Sequence, residues 1–92
     1  MKRYEIQKAI ERIERMEQCF DTLSEIVRDN REEPRFNELQ KELLEYYESG
    51  QWMYDYELDE KGVLPQNLKR GVLSEDGVYN LLTDIDRFVA DE

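Results

Sequence analysis

The acidic residues of one short segment are the first side chains in the sequence that could do chemistry. Residues 55–60 carry Asp55, Glu57, Asp59 and Glu60, whose carboxylate oxygens are ligands of a kind that divalent cations prefer. A calcium loop of the EF-hand type beginning at Asp55 would need glycine at its sixth position and glutamate at its twelfth. Those positions hold Glu60 and Gln66, so this loop is excluded. A weak divalent-metal site, or a reaction that uses these carboxylates, stays open as an alternative.

Other catalytic chemistry has little support, because the sequence contains no histidine. Histidine is the commonest general base and metal ligand, so Ser–His and Cys–His arrangements cannot be built. Two of the few serines, Ser49 and Ser74, have positions typical of helix caps. The glycines are too widely spaced to form a phosphate-binding loop. We therefore predict no catalytic residue, no cofactor and no metal ligand set, and we retain a carboxylate-based or metal-dependent enzyme only as the alternative.

Aromatic residues are concentrated in the same part of the chain, between residues 46 and 56. Tryptophan and tyrosine are enriched at the centres of protein interfaces, but a small domain also needs large side chains to fill its core. We therefore expect this segment to have an inner and an outer side. On the inner side we place Trp52 and Tyr56, and on the outer side Tyr54, Asp55 and Glu57.

A basic pair, Lys69 and Arg70, follows the acidic segment. The pair could form ion pairs with the acids of residues 55–60 or bind an anionic group of a partner. The first interpretation is favoured because the opposite charges lie near one another in sequence. Together these patterns define the candidate interaction surface, which consists of Trp52, Tyr54, Asp55, Tyr56, Glu57, Lys69 and Arg70.

The periodicity of apolar residues predicts the helix that begins the chain. Over residues 3–29 the apolar positions alternate in steps of three and four, which is typical of an amphipathic helix. They are Ile6, Ala9, Ile13, Met16, Phe20, Leu23 and Val27. Ile10, Cys19 and Ile26 widen this stripe, which favours packing within the domain over a coiled-coil dimer. Self-association stays open as the second interpretation.

The remaining patterns predict an all-α fold. Pro34 begins a second amphipathic helix over residues 34–48, and the short connection makes the two helices an antiparallel hairpin. Ser49 and Gly50 end it. Residues 51–60 alternate as a strand would, but no second strand exists to pair with them, so a short helix or turn is favoured. A connector follows over residues 62–73, and Ser74 caps a final helix over residues 75–89. The prediction is therefore one domain over residues 1–92, a small three- to four-helix bundle.

Charge and composition restrict the partners. The chain of 92 residues has a formal net charge of −10, and such a surface repels nucleic-acid backbones and anionic membranes. No apolar run reaches the length of a membrane span, and no signal-peptide pattern follows the first residues. The lone cysteine, Cys19, lies in the apolar stripe and fits a small buried side chain in a reducing cytoplasm.

Several motifs of the chain resemble a known family. The combination of SGQW, DYE, LKRGVLSED and VYNLL within residues 49–82 is similar to the bacterial domain-of-unknown-function family 4298. The segments IERIERMEQCFDTL, residues 10–23, and ELLEYYESG, residues 42–50, resemble its N-terminal part. The resemblance implies a stand-alone, mostly helical bacterial protein of the cytosol. It implies no activity, cofactor or site residue.

The leading functional hypothesis from the sequence is a non-catalytic module that binds a protein partner or itself. The first alternative is the carboxylate-based enzyme or accessory protein described above. The second alternative is an acidic mimic of nucleic acid, because a strongly negative surface can occupy the binding site of a nucleic-acid-binding protein.

Overall fold

A computed structural model describes residues 2–90 and confirms the all-α prediction. The described residues form four α-helices and one short 3₁₀ turn. The helices are α1 (Arg3–Asp29), α2 (Phe36–Glu48), α3 (Gln51–Glu60) and α4 (Glu75–Ala90), and the 3₁₀ turn is Gly71–Leu73. The buried apolar side chains of all these elements belong to one core cluster.

Helices α1 and α2 form the predicted antiparallel hairpin. Arg15 lies opposite Glu42, and one turn further along α1 the Cys19 thiol donates to the carbonyl of Leu39, so the two helices run in opposite directions. Helix α2 begins at Phe36, two residues later than predicted, because Pro34 and its neighbour form a turn instead of helix.

The apolar stripe of α1 is covered within the domain, as the wider pattern predicted. Its buried apolar residues are Ala9, Ile13, Met16, Cys19, Leu23 and Ile26. Phe20 and Val27 were expected at the centre of the stripe, but they are only half-buried at its edge. Cys19 and Ile26, which the sequence placed on the flank of the stripe, are buried instead, so the core-facing side of α1 is displaced towards them where α2 and α4 pack. Two helices, α2 and α4, pack against the resulting broad face.

Helix α3 settles the ambiguity of residues 51–60, which form a helix and not a strand. Gly50 lies between α2 and α3 with φ at 93°, a left-handed conformation that glycine adopts without strain. This turn folds α3 back against the hairpin. The predicted end of α2 at Ser49 and Gly50 is therefore confirmed.

The predicted start of the last helix is also confirmed. The Ser74 hydroxyl accepts a hydrogen bond of 3.1 Å from the backbone N–H of Gly77, which caps α4. Leu73 before the cap and Val78 after it are both buried, as expected for a hydrophobic staple. The 3₁₀ turn that precedes the cap was not predicted. It contacts α1, α3 and α4, and so joins the C-terminal helix to the rest of the fold.

Candidate interaction surface

Helix α3 carries five of the predicted surface residues and divides them between its two sides. Trp52 and Asp55 are buried, Tyr56 is half-buried, and Tyr54 and Glu57 are exposed. The expected orientation is therefore confirmed for four of them and wrong for Asp55. The buried side fixes the helix, and the exposed side is the part that a partner could reach.

Trp52 is the apolar anchor of α3. Its indole ring stacks on Tyr56, with 5.2 Å between the ring centres, and meets the edge of Tyr47 at the same separation. Its Nε1–H donates a hydrogen bond of 2.8 Å to the carbonyl of Val72 in the 3₁₀ turn. Trp52 thus has an apolar environment for its ring and a partner for its polar group, which is the usual condition for a buried tryptophan.

Asp55 was expected to face solvent, but its exposed fraction is 0 %. Its carboxylate accepts hydrogen bonds from Nε and Nη2 of Arg12 on α1 and a third, of 2.7 Å, from the Tyr46 hydroxyl on α2. The fork of an arginine matches the two oxygens of a carboxylate, so the pair is held in one geometry. Asp55 therefore joins three helices. A charged residue can be buried when it is paired and hydrogen-bonded in this way.

The surroundings of this network fix the charge states of its donors. Burial, followed by the hydrogen bond to Asp55, raises the pKa of the Tyr46 hydroxyl above its ordinary value. The hydrogen bond to Asp55 raises the pKa of the Arg12 guanidinium. Both groups therefore remain donors across the physiological range. Their three donor atoms, Nε and Nη2 of Arg12 and the Tyr46 hydroxyl, all point at Asp55, so the oxygens of Asp55 are occupied by structural contacts.

The two basic candidates, Lys69 and Arg70, have different environments. Arg70 forms an ion pair with Asp59 near the end of α3 and also donates to the backbone carbonyls of Pro65 and Leu68. The predicted pairing of this segment with the acids of residues 55–60 is thus confirmed for Arg70. Lys69 is exposed, and within residues 2–90 it lies in no ion pair. The structure does not bring the basic pair together as one surface.

The outer side of α3 combines apolar and acidic groups. Tyr54 is 41 % exposed, and the guanidinium of Arg12 lies 5.9 Å from the centre of its ring. Met53 is 50 % exposed, and Glu57 lies one turn further along the same side. We call Met53, Tyr54 and Glu57 the α3 outer face. Met53 was missed in the sequence, although its spacing of four residues from Glu57 would have placed it there.

The described residues contain neither a preformed cluster of metal ligands nor a membrane-spanning helix. In the part of the chain from residue 2 to residue 90, no group of three or more Cys, Asp or Glu side chains is arranged to hold a metal ion. No helix among those residues is both long and apolar enough to cross a membrane.

Comparison with known proteins identifies a family and no individual relative. No curated protein matches the chain, and no solved structure matches it. The model of one family, described as a domain of unknown function (DUF4298), matches residues 13–91, which includes all of the helices except the start of α1. Since the match extends over most of the sequence, the chain belongs to the DUF4298 family.

Proposed function

We propose that this protein is a non-catalytic interaction module that binds a protein partner through the α3 outer face. The observation that carries the proposal is the exposure of Met53 and Tyr54 on a helix whose opposite side is anchored by Trp52 and Asp55. The backbone of a helix that is already fixed loses little conformational freedom when a partner covers its exposed side chains. Tyrosine in particular supplies a large contact area with a polar end.

Charge defines the kind of partner that this surface suits. The chain has a formal net charge of −10, and Glu57 lies beside the two apolar side chains. A partner with apolar side chains surrounded by Lys or Arg would complement this surface and would be attracted over a distance. The lone buried Cys19 is in keeping with a protein of the reducing cytoplasm.

The carboxylate-based enzyme has less support than the interaction module. Two of the four acids proposed for it, Asp55 and Asp59, are engaged by arginines within the fold. The remaining two, Glu57 and Glu60, are exposed on the surface of α3. The overall negative charge is equally consistent with an acidic mimic of nucleic acid. Binding by such a mimic would depend on that charge and not on the side chains of Met53 or Tyr54.

Affinity purification with variant baits tests the proposal. We expect a partner that is retained by the wild-type protein to be lost from a bait carrying Met53→Ala and Tyr54→Ala. The matched control is Tyr79→Ala, which removes another exposed tyrosine, 65 % exposed, from α4. Thermal unfolding of each bait accompanies the assay, and both variants should melt close to the wild type because the side chains removed are on the surface.

Two results would contradict the proposal. One is equal retention of every partner by the α3 variant and the Tyr79→Ala control. The other is loss of partners from both variants alike. If all retained proteins bind nucleic acid and are released by salt irrespective of the substitutions, the acidic mimic replaces the interaction module.

A further inference from the structure

Within residues 2–90 one sulfur atom is readily accessible, and it lies on the α3 outer face. The sulfur-bearing side chains of that range are Met16, Cys19 and Met53. Met16 is 1 % exposed and Cys19 is 5 % exposed, whereas Met53 is 50 % exposed. Burial also raises the pKa of the Cys19 thiol, so its reactive thiolate is scarce at neutral pH. An oxidant in solution therefore reaches the thioether of Met53 first.

The contacts of α3 hold Met53 on the outside of the helix. The neighbouring Trp52 is buried and donates through its indole N–H to the carbonyl of Val72. Two positions beyond Met53, the buried carboxylate of Asp55 is held by Arg12 of α1. A rotation of α3 that turned Met53 towards the core would break both contacts and leave buried polar groups without partners. The exposure of the thioether is thus a fixed property of the fold.

Oxidation of a thioether by a peroxide is the transfer of one oxygen atom. The sulfur lone pair attacks one oxygen of hydrogen peroxide, the O–O bond breaks and an S–O bond forms. The second oxygen leaves with both hydrogens as water, so the sulfur loses two electrons and the peroxide gains them. The product, methionine sulfoxide, is polar where the thioether was apolar. On an exposed side chain the new oxygen stays hydrated, so the free protein keeps its fold.

The same change is unfavourable when a partner covers the α3 outer face. Met53 and Tyr54 are the apolar side chains of this face, and their burial supplies the apolar part of the contact. A sulfoxide that is covered by apolar side chains loses its hydration and gains no hydrogen bond in exchange. The ionised carboxylate of Glu57, one turn further along α3, accepts hydrogen bonds but donates none, so it cannot satisfy the sulfoxide oxygen.

We propose that Met53 is a modification site at which hydrogen peroxide forms methionine sulfoxide, and that this modification weakens the binding of a protein partner to the α3 outer face. The place of oxidation follows from the structure of the free protein. The effect on binding rests on the function proposed above. Two separate measurements therefore test the two parts.

Peptide mapping by mass spectrometry after timed exposure to hydrogen peroxide tests the place of oxidation. Cleavage after Lys and Arg puts Met16 in the peptide of residues 16–28 and Met53 in that of residues 42–61, so the two are measured separately. Fragmentation of the second peptide distinguishes oxidation of Met53 from oxidation of Trp52. We expect Met53 to react at least about tenfold faster than Met16, because Met16 reacts only when the core opens. In denaturing urea the two rates should converge. Equal rates in the folded protein, or an undiminished difference in urea, overturn the assignment of the site.

Titration of the captured partner against oxidised baits tests the effect on binding. We expect oxidation to weaken binding by the wild type about tenfold or more, the value of one buried methionine side chain. The matched control is Met53→Leu, which keeps an apolar side chain of similar size but has no sulfur at this position. This variant should bind equally before and after peroxide treatment, which excludes oxidation at any other residue, including Cys19, as the cause. Met53→Gln introduces a polar group without oxidation and should bind as weakly as the oxidised wild type.

The outcomes distinguish a failure of this inference from a failure of the proposed function. If a partner is lost from the bait carrying Met53→Ala and Tyr54→Ala but binds oxidised and untreated wild type equally, the effect of oxidation is overturned and the interaction module stands. Equal loss from oxidised wild type and oxidised Met53→Leu also overturns it, as does a clear fall in the melting temperature of the oxidised protein. If no partner depends on the α3 outer face, the effect on binding fails together with the proposed function, and the oxidation rates alone decide the site.

Discussion

Removal of the Asp55 carboxylate should destabilise the protein more than any change on the outside of α3. Asp55→Ala leaves the Arg12 guanidinium, whose side chain is 18 % exposed, and the buried Tyr46 hydroxyl without their acceptor. Breaking a buried ion pair by removing one partner costs about 3–5 kcal/mol. A domain of 92 residues is stable by about 5–14 kcal/mol, at roughly 0.05–0.15 kcal/mol per residue. The substitution therefore removes a large part of the free energy of unfolding.

Urea denaturation followed by far-ultraviolet circular dichroism measures this loss. A thermal scan gives a second measure of it. A loss of 3 kcal/mol should lower the melting temperature by at least about 12 °C, at roughly 4–8 °C per kcal/mol for a domain of this size. The matched control is Glu57→Ala, which removes an exposed acid from the same helix and should change stability by no more than about 0.5 kcal/mol. Asp55→Asn keeps an acceptor for Tyr46 and should have an intermediate effect.

A double-mutant cycle identifies Arg12 as the partner through which Asp55 acts. Arg12→Ala and Asp55→Ala should be coupled by about 0.5–3 kcal/mol, as is usual for side chains in one hydrogen-bonded network. If Asp55→Ala is as mild as Glu57→Ala, or if the two substitutions are additive, the network does not hold α3 against α1. The assignment of Asp55 as the residue that positions the α3 outer face would then be refuted.

Two further predictions concern buried residues, Trp52 and Cys19. Trp52→Phe should cost about 1–3 kcal/mol in urea denaturation, because the carbonyl of Val72 loses its buried donor; an unchanged midpoint would contradict this. Burial raises the pKa of the Cys19 thiol from 9.0 to about 11, so the unfolded chain releases that proton first and stability should fall as the pH rises through this interval. The serine of Cys19→Ser keeps a donor to the Leu39 carbonyl but does not titrate between pH 9 and pH 11, so the stability of this variant should fall less steeply with pH than that of the wild type. Equal slopes of stability against pH would contradict the raised pKa of Cys19.

Local periodicity explains how much of the fold could be predicted. The spacing of apolar residues is a property of the helix itself, so α1 and the face of α4 were predictable without knowledge of their neighbours. The caps were predictable for the same reason, since Ser74 and Gly50 act within one turn of chain. The edge position of Phe20 was not predictable, because it depends on where α2 and α4 pack around α1.

The burial of Asp55 depends on residues that are distant in sequence. Its partners are Arg12, 43 positions away on α1, and Tyr46, nine positions away on α2. An aspartate in a charged segment is normally solvated, and nothing in the local pattern indicated these partners. One signal was present, because Asp55 is three residues from both Trp52 and Leu58 and so shares their side of a helix. That signal required residues 51–60 to be assigned to a helix first.

The burial of Glu17 was missed for a related reason. It is an acidic residue near the edge of the apolar stripe of α1, where a solvated charge is the usual expectation. Its burial depends on the 3₁₀ turn, which had no pattern of its own in the sequence. Of the candidate surface, Tyr54, Glu57 and Lys69 are exposed, and only Tyr54 and Glu57 lie on α3, so the interaction surface that we propose is a smaller area beside Met53.

The peptide groups on either side of Val72 place a constraint on how this family can vary in length. Its N–H is held by Glu17 from α1, and its carbonyl is held by Trp52 from α3. Insertion or deletion of a single residue within the 3₁₀ turn would move a different peptide group to that position, and both side chains would lose their partners. Homologous chains should therefore keep this turn constant in length, and differences should accumulate in exposed connections such as the one before α2, where no such double contact exists among the described residues.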